Sequence, residues 1–364
     1  MEYVQERVAT LHDFGDARPD APTERAAVVV PMTEREHASL AAERVLSALE
    51  RVDPERVVVP LRAEADTAPA VADWLDGFAL DVETLWCDGP RLADLLDDHG
   101  LTGPRGKGRD VWLGLGVAAD SEYVVVHDAD ATTYTDAHVP RLLFPLDRGF
   151  AFSKGYYARV ENGRLYGRLF RLFYRPLVRA LADAHPGAEV LDYLNAFRYA
   201  LAGEFAATSD LVRSLRVQRG WGLEVGTLGD AYAEAGVEGT AQVDLGRHEH
   251  DHRAVSGPAG LSTMSEQVSA ALLRAVEAGG VEPDYDTLPD RYEAAAESLV
   301  RAYGTDAAFN GLDYDPADER AQVAEYADAV APPGEDTRLP AWRKTTLDSG
   351  AVREAAAADL EAIR

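Results

Sequence analysis

Lysine and cysteine are nearly missing from this chain. Of its 36 basic residues only Lys107, Lys154 and Lys344 are lysines, set against 63 acidic residues and a formal net charge of −27. Cys87 stands alone, so neither an intrachain disulfide nor a thiolate metal site can form. No stretch approaches 18 consecutive apolar residues, and the N-terminus lacks the basic, apolar and small-residue succession of a signal peptide. These absences predict a soluble, cytoplasmic protein. The scarcity of clustered basic charge argues against general affinity for nucleic acid or anionic lipid, because phosphate contacts need such clusters. The acidic residues are spread along the chain, as on a surface adapted to high salt, where self-repulsion is screened. Where a surface avoids lysine, Lys107 and Lys154 gain interest.

At 364 residues, 46% of them hydrophobic, the chain is long enough to bury a large core. A short helix is expected at Glu2–Leu11, inside an N-terminal helix and linker over residues 1–24. From Ala26 onward, β-branched runs alternate with amphipathic segments. Strands are predicted at Ala26–Pro31, Arg56–Leu61, Val82–Cys87 and Tyr123–His127, and helices at His37–Val52, Pro69–Phe78, Pro90–His99 and Asp110–Ala119. Such alternation implies a Rossmann-like, mostly parallel sheet with right-handed crossovers over residues 25–130. No Gly-x-Gly-x-x-Gly follows the first strand and no Walker lysine motif is present, so neither a dinucleotide fold nor a P-loop is supported.

The last of these strands ends in His127-Asp-Ala-Asp130. Alternate residues share a face, so Asp128 and Asp130 point the same way where the strand leaves the sheet. Ligands of open α/β sheets collect at such carboxyl ends, and paired carboxylates there suit a hard divalent cation bridging to a diphosphate. In so acidic a chain, the same three letters also arise by chance.

Residues 131–260 change texture. A strand at Phe150–Val160 leads into a segment with Arg164, Arg168, Arg171, Arg175 and Arg179. Guanidinium forks binding a small anion, or arginines paired with nearby acid, both satisfy that pattern. Trp221 and Glu224 lie in a glycine-bracketed turn before a helix at Leu223–Ala235, a plausible pocket wall. A strand at Gln242–Leu245 runs into His248, His250 and His252. Alternate histidines on an extended segment suit a divalent cation, and equally a solvated polar loop. Residues 261–302, 318–330 and 351–364 read as helices that brace the fold or an oligomer interface, without chemistry of their own.

Several of these pieces occur in one order. Val28–Glu36, Gly106–Trp112, Val126–Asp130, Lys154–Arg159, Gly167–Leu177, Phe197–Phe205, Gly222–Gly226 and Gln242–Arg253 together resemble the glucosyl-3-phosphoglycerate synthases over residues 25–260. Those are retaining glycosyltransferases of the GT-A fold. The resemblance implies an α/β architecture with an acceptor-binding region and a C-terminal helical extension over 261–364. It implies that the loop of Pro31, Met32 and Glu34 holds the nucleotide, with Ala129 and Asp128 beside the ribose or the metal shell. Lys107 would reach the phosphates, its flanking glycines allowing close backbone approach. Asp130 would ligate Mg²⁺ or Mn²⁺ with His250, or with His252 if one gap is allowed. Gly167 and Arg168 would bind the phosphate of the acceptor, Trp221 would wall its pocket, and Arg253 would assist from the metal loop. Glu224 would lie by the reacting sugar.

The activity so implied is metal-dependent transfer of glucose from UDP-glucose to 3-phosphoglycerate, by front-face attack and without a protein nucleophile. Nothing in the sequence places the two carboxylates about 5–5.5 Å apart that a retaining hydrolase uses. A homodimer, which the C-terminal helices could serve, accords with the family. Three departures stand out. Arg35 replaces an expected acid, Leu61-Arg-Ala-Glu-Ala-Asp66 replaces an Asp-containing turn, and Phe170 replaces a hydroxyl residue. They leave room for a related transferase using GDP-mannose or another acceptor. A sugar nucleotidyltransferase is a further alternative, disfavoured because the Met32–Glu36 loop has no glycine. A non-catalytic sugar-nucleotide-binding protein is the remaining one.

Overall fold

A computed structural model describes residues 4–249 and 258–364, with the backbone alone for 258–262. Eleven strands are labelled in chain order: β1 (Ala9–Leu11), β2 (Ala26–Val29), β3 (Met32–Thr33), β4 (Arg56–Arg62), β5 (Val82–Trp86), β6 (Tyr123–Val126), β7 (Phe152–Ala158), β8 (Val160–Glu161), β9 (Arg164–Leu165), β10 (Phe205–Thr208) and β11 (Thr240–Arg247). Nine of them form one sheet in the order β1-β11-β7-β10-β6-β2-β4, with β5 on the far side of β4. β3 continues the line of β2 along β4, since Val29 pairs with Val58 and Met32 with Leu61.

The parallel half, β5-β4-β2-β6, is as the alternation predicts, to within a few residues at each end. Its strands are Val-rich because helices cover both faces, and Val28, Val29, Val57–Val59, Val124 and Val125 are fully buried. The antiparallel strand β10 is wedged between β6 and β7 and fuses the second half onto the first. Its pairing partners lie some 50 to 80 positions upstream, so periodicity gives no sign of it.

At the N-terminus the structure corrects the expected helix over Glu2–Leu11. Ala9–Leu11 is instead an edge strand parallel to β11, with Val8 buried beside it and the Gln242 side-chain amide donating to Thr10. Backbone pairing with β11 there supplies hydrogen bonds that a lone turn of helix would lack.

The C-terminal region is helical, over Pro258–Ala278, Leu288–Asn310, Pro316–Ala327 and Ser349–Glu361. Among the described residues no helix is long and apolar enough to cross a membrane. Between the last two helices, an irregular stretch leads into the single turn Trp342–Lys344, which packs on the helix Lys107–Ala118. Trp342 stacks on Trp112 at 4.4 Å between ring centroids. The two indoles are locked reciprocally: Trp112 Nε1 donates to the Pro340 carbonyl at 2.8 Å, and Trp342 Nε1 to the Trp112 carbonyl at 2.7 Å.

Candidate active site

The site begins where β6 ends. His127 still donates its backbone N–H to Val29, and the next three residues then turn out of the sheet, putting Asp128 and Asp130 at its carboxyl edge with Ala129 buried between them. Beside them starts the helix Lys107–Ala118. Lys107 Nζ donates to Asp128 Oδ1 at 2.5 Å. Burial works against the lysine's charge, but Asp128, then Glu224 and Asp130, more than offset it and hold the ammonium protonated well above the usual lysine range.

The glycines around Lys107 do allow a close backbone approach, but from within the chain. A Cβ on Gly108 would lie 1.7 Å from the carbonyl oxygen of Gln218. The first turn of the helix, with Lys107 at its start, is therefore pressed onto Gln218 and Arg219. Arg219 is held in turn by carbonyls, with Nη2 donating to Leu101 and Nε to Thr337.

A cleft of about 1160 Å³ opens in front of this edge. Thr33, Arg35, Arg62, Lys107, Asp130, Trp221 and Glu224 are among the residues that line it. A smaller lobe of about 160 Å³ is lined by Pro31, Met32, Arg62, Lys107 and Asp128 through Asp130. The sequence-predicted residues Pro31, Met32, Lys107, Asp128, Ala129 and Asp130 thus meet in one lobe. Trp221, 45% exposed, and Glu224 face the larger space.

Other predicted residues stand apart. Glu34 lines neither space; it accepts from Thr67 Oγ1 at 2.7 Å and from the Glu64 N–H, bonds that lower its pKa. In its place Glu36 faces the cleft, while capping its own turn by accepting from Thr33 N–H and Oγ1. Gly167 and Arg168 do not line the cleft either. Arg168 pairs with Asp318, and with Glu319 at 3.0 Å, on the helix Pro316–Ala327. Arg171 joins the buried Glu319 at 2.8 Å. So Arg164, Arg168 and Arg171 of the basic segment meet acid, but acid some 150 positions away. Phe170 packs on Tyr199, which continues through Tyr157 to His248 as a run of aromatic contacts.

His250, His252 and Arg253 lie outside the described residues. The chain leading to them is fastened to the site, however. Thr132 N–H and Oγ1 both donate to the Glu249 carbonyl, at 2.8 and 3.0 Å, and Glu249 N–H donates to Thr133 Oγ1.

Two groups of residues beside the site fall outside the sequence-predicted site set, although the scarcity of lysine marks the first of them. Lys154, 1% exposed in the middle of β7, has its pKa brought down to about 8 by burial, against the pull of Glu224, Glu204 and Asp128. Its rarity was the available signal. Gly334, Glu335 and Thr337 of the C-terminal stretch complete the cleft wall, and they carry no sequence mark of doing so.

No protein-family model matches the chain. It is similar to the glucosyl-3-phosphoglycerate synthase of Methanococcoides burtonii, 32% identical over 378 residues that span 94% of this chain and 93% of that protein. The enzyme of the same name from Persephonella marina is 35% identical over 76% of this chain and 72% of its own length. Among solved structures, the Mycobacterium tuberculosis glucosyl-3-phosphoglycerate synthase in complex with Mn²⁺, UDP-glucose and phosphoglyceric acid superposes with a TM-score of 0.57. It shares 26% identity and is matched over 77% of this chain and 90% of that one. The same enzyme with Mg²⁺ and UDP gives a TM-score of 0.56 at 26% identity, over 76% and 88% of the two chains.

Proposed function

Because the chain belongs to the glucosyl-3-phosphoglycerate synthase family, we propose that it transfers glucose from UDP-glucose to 3-phosphoglycerate with retention of anomeric configuration, in the presence of Mg²⁺ or Mn²⁺. The observation that carries this is the convergence of Lys107, Asp128, Asp130 and Glu224 on one cleft at the carboxyl edge of a parallel sheet. A ligand with a diphosphate and a sugar needs a cation at one end and a carboxylate at the other, and the cleft offers both.

The residues present fit a divalent cation. Asp130 supplies a hard oxygen donor in the cleft lining, and Glu249, one residue before His250, is bonded to the loop that follows Asp130. Asp130 and His250 are the proposed ligands, with His252 as the alternative. A cation so bound supplies Lewis-acid neutralisation of the diphosphate leaving group. The chain's own groups do the rest. Lys107, kept charged by its neighbours, binds phosphate oxygen, while Asp128 holds Lys107 in line beside the ribose or the metal shell. Pro31, Met32 and Ala129 shape the nucleotide lobe, and Glu34 anchors the loop bearing them. Glu224 orients sugar hydroxyls and steadies positive charge at the anomeric carbon. Gly167, Arg168, Trp221 and Arg253 serve the acceptor, whose phosphate competes with Asp318 and Glu319 for Arg168.

In this reading residues 25–130 hold the donor, 131–260 the acceptor and metal loop, and 261–364 brace both. A cytoplasmic homodimer working at high salt accords with it, the last because the charge of −27 is screened there. The direct test is incubation with UDP-glucose, 3-phosphoglycerate and Mn²⁺ over a range of KCl, with mass spectrometry and NMR of the anomeric proton. An α-linked product that disappears on chelation is expected. Arg35 and Arg62 line the cleft where the sequence departs from the family pattern, so GDP-mannose is run as a second donor. Consumption of that donor alone, or turnover indifferent to chelator, overturns the assignment.

A further inference from the structure

Lys154 is a charged side chain placed where a hydrocarbon would pack more cheaply. It sits in the middle of β7, opposite Phe205 on β10 and Gln242 on β11, and is 1% exposed. Among the described residues it makes no ion pair within 4.0 Å, yet burying an unpaired ammonium is costly unless its hydrogen bonds are made. The bond it makes is specific: Nζ donates to the carbonyl oxygen of Ala202. The neighbouring Gly155 N–H donates to the Glu204 carbonyl at 3.0 Å. Two consecutive residues of β7 therefore grip both ends of the turn Ala202-Gly203-Glu204.

The middle of that turn touches the site. A Cβ on Gly203 would fall 2.6 Å from Asp128 Oδ2, so the glycine backbone lies directly against this carboxylate. Asp128 is thereby held from two sides, Oδ2 lying over the turn and Oδ1 accepting from Lys107.

We propose that Lys154 is a positioning residue for the donor site: by holding the Ala202 carbonyl it keeps the Ala202–Glu204 turn as the seat of the Asp128 carboxylate, and so sets the aim of the Asp128–Lys107 pair. The inference rests on the donor reading above, but its ligand-free test is independent of that reading. Hydrogen exchange on the full-length protein without ligand compares wild type with Lys154→Met, a side chain of similar length that cannot donate. Faster exchange in peptides covering residues 128–132 and 202–204, with the rest unchanged, is expected. Exchange unchanged in both peptides overturns the proposal.

A second arm measures Mn²⁺-dependent UDP binding by calorimetry and steady-state kinetics with UDP-glucose. Outer partners of a metal or phosphate site typically contribute ~10–100-fold to affinity or activity. A loss in that range, carried by donor KM and UDP affinity, is expected for Lys154→Met, with the acceptor KM unmoved. Lys154→Gln, which keeps a donor for Ala202 without the charge, recovers part of it. Gly203→Ala, which leaves the β7 core intact, reproduces the donor defect and covers the case in which Lys154→Met fails to fold. Wild-type donor binding in Gly203→Ala overturns the proposal. Failure of the donor reading shows separately, as a wild-type protein that neither binds UDP nor consumes UDP-glucose.

Discussion

Around Lys107 and around Arg168 the molecule places cations in acidic company, but with opposite geometry. Lys107 opens a helix whose first turn is pressed onto Gln218, and its partner Asp128 shares the cleft with it. Arg168 heads the π-helical turn Leu169–Tyr174, and its partners Asp318 and Glu319 come from another helix, away from the cleft lining. In the first case both charges face the space a ligand would enter. In the second they tie two helices together, with Arg171 sharing the buried Glu319. An ion pair is read as part of a site or as a strut by asking what its partner faces.

Four substitutions press on this contrast. Asp130→Ala in the cleft lining should lower kcat by on the order of 10³-fold, since Lewis-acid stabilisation is worth several kcal/mol. The chain should stay folded, as read by turnover alongside thermal melting. Glu319→Ala should do the reverse. Removing one partner of a buried charge pair costs about 3–5 kcal/mol, seen in urea unfolding, with UDP affinity unaffected. Lys107→Met removes a charge-assisted bond worth about 1.5–3 kcal/mol, or roughly 10–150-fold in kcat/KM for the donor. Its unfolding midpoint should move little. Arg168→Ala has the smallest expected effect on folding, under ~1 kcal/mol, because Arg168 is 39% exposed. It is also the sharpest test of the contrast. A raised acceptor KM makes Arg168 both strut and anion site, and an unchanged one leaves it a strut alone.

The parallel half of the sheet is legible because its strands are short β-branched runs buried on both faces, and its helices show their apolar stripe locally. Asp128, Asp130 and Lys107 are legible for a related reason, since each stands at the end of an element whose type the sequence announces. β10 is not, because an antiparallel strand inserted between β6 and β7 depends on pairings far along the chain. The cleft wall at Gly334–Thr337 escapes for a different reason. There the Gly334 and Glu335 carbonyls accept from Arg274, and the Thr337 carbonyl from Arg219. Backbone carbonyls are the same for every residue type, so no pattern of side chains marks them. For the arginine segment the sequence leaves anion binding and acid pairing equally open, because the partners Asp318 and Glu319 lie about 150 positions away.

The interlocked Trp112 and Trp342 bear on how the protein comes into being. Residues 107–118 leave the ribosome long before residue 342, so the helix that begins at Lys107 meets its outer clasp only after some 230 further residues have been made. Contacts spanning some 230 positions close late and carry a large loop-closure cost. The indole clasp on this helix is therefore a late contact, and the edge that bears Lys107 starts to assemble without it.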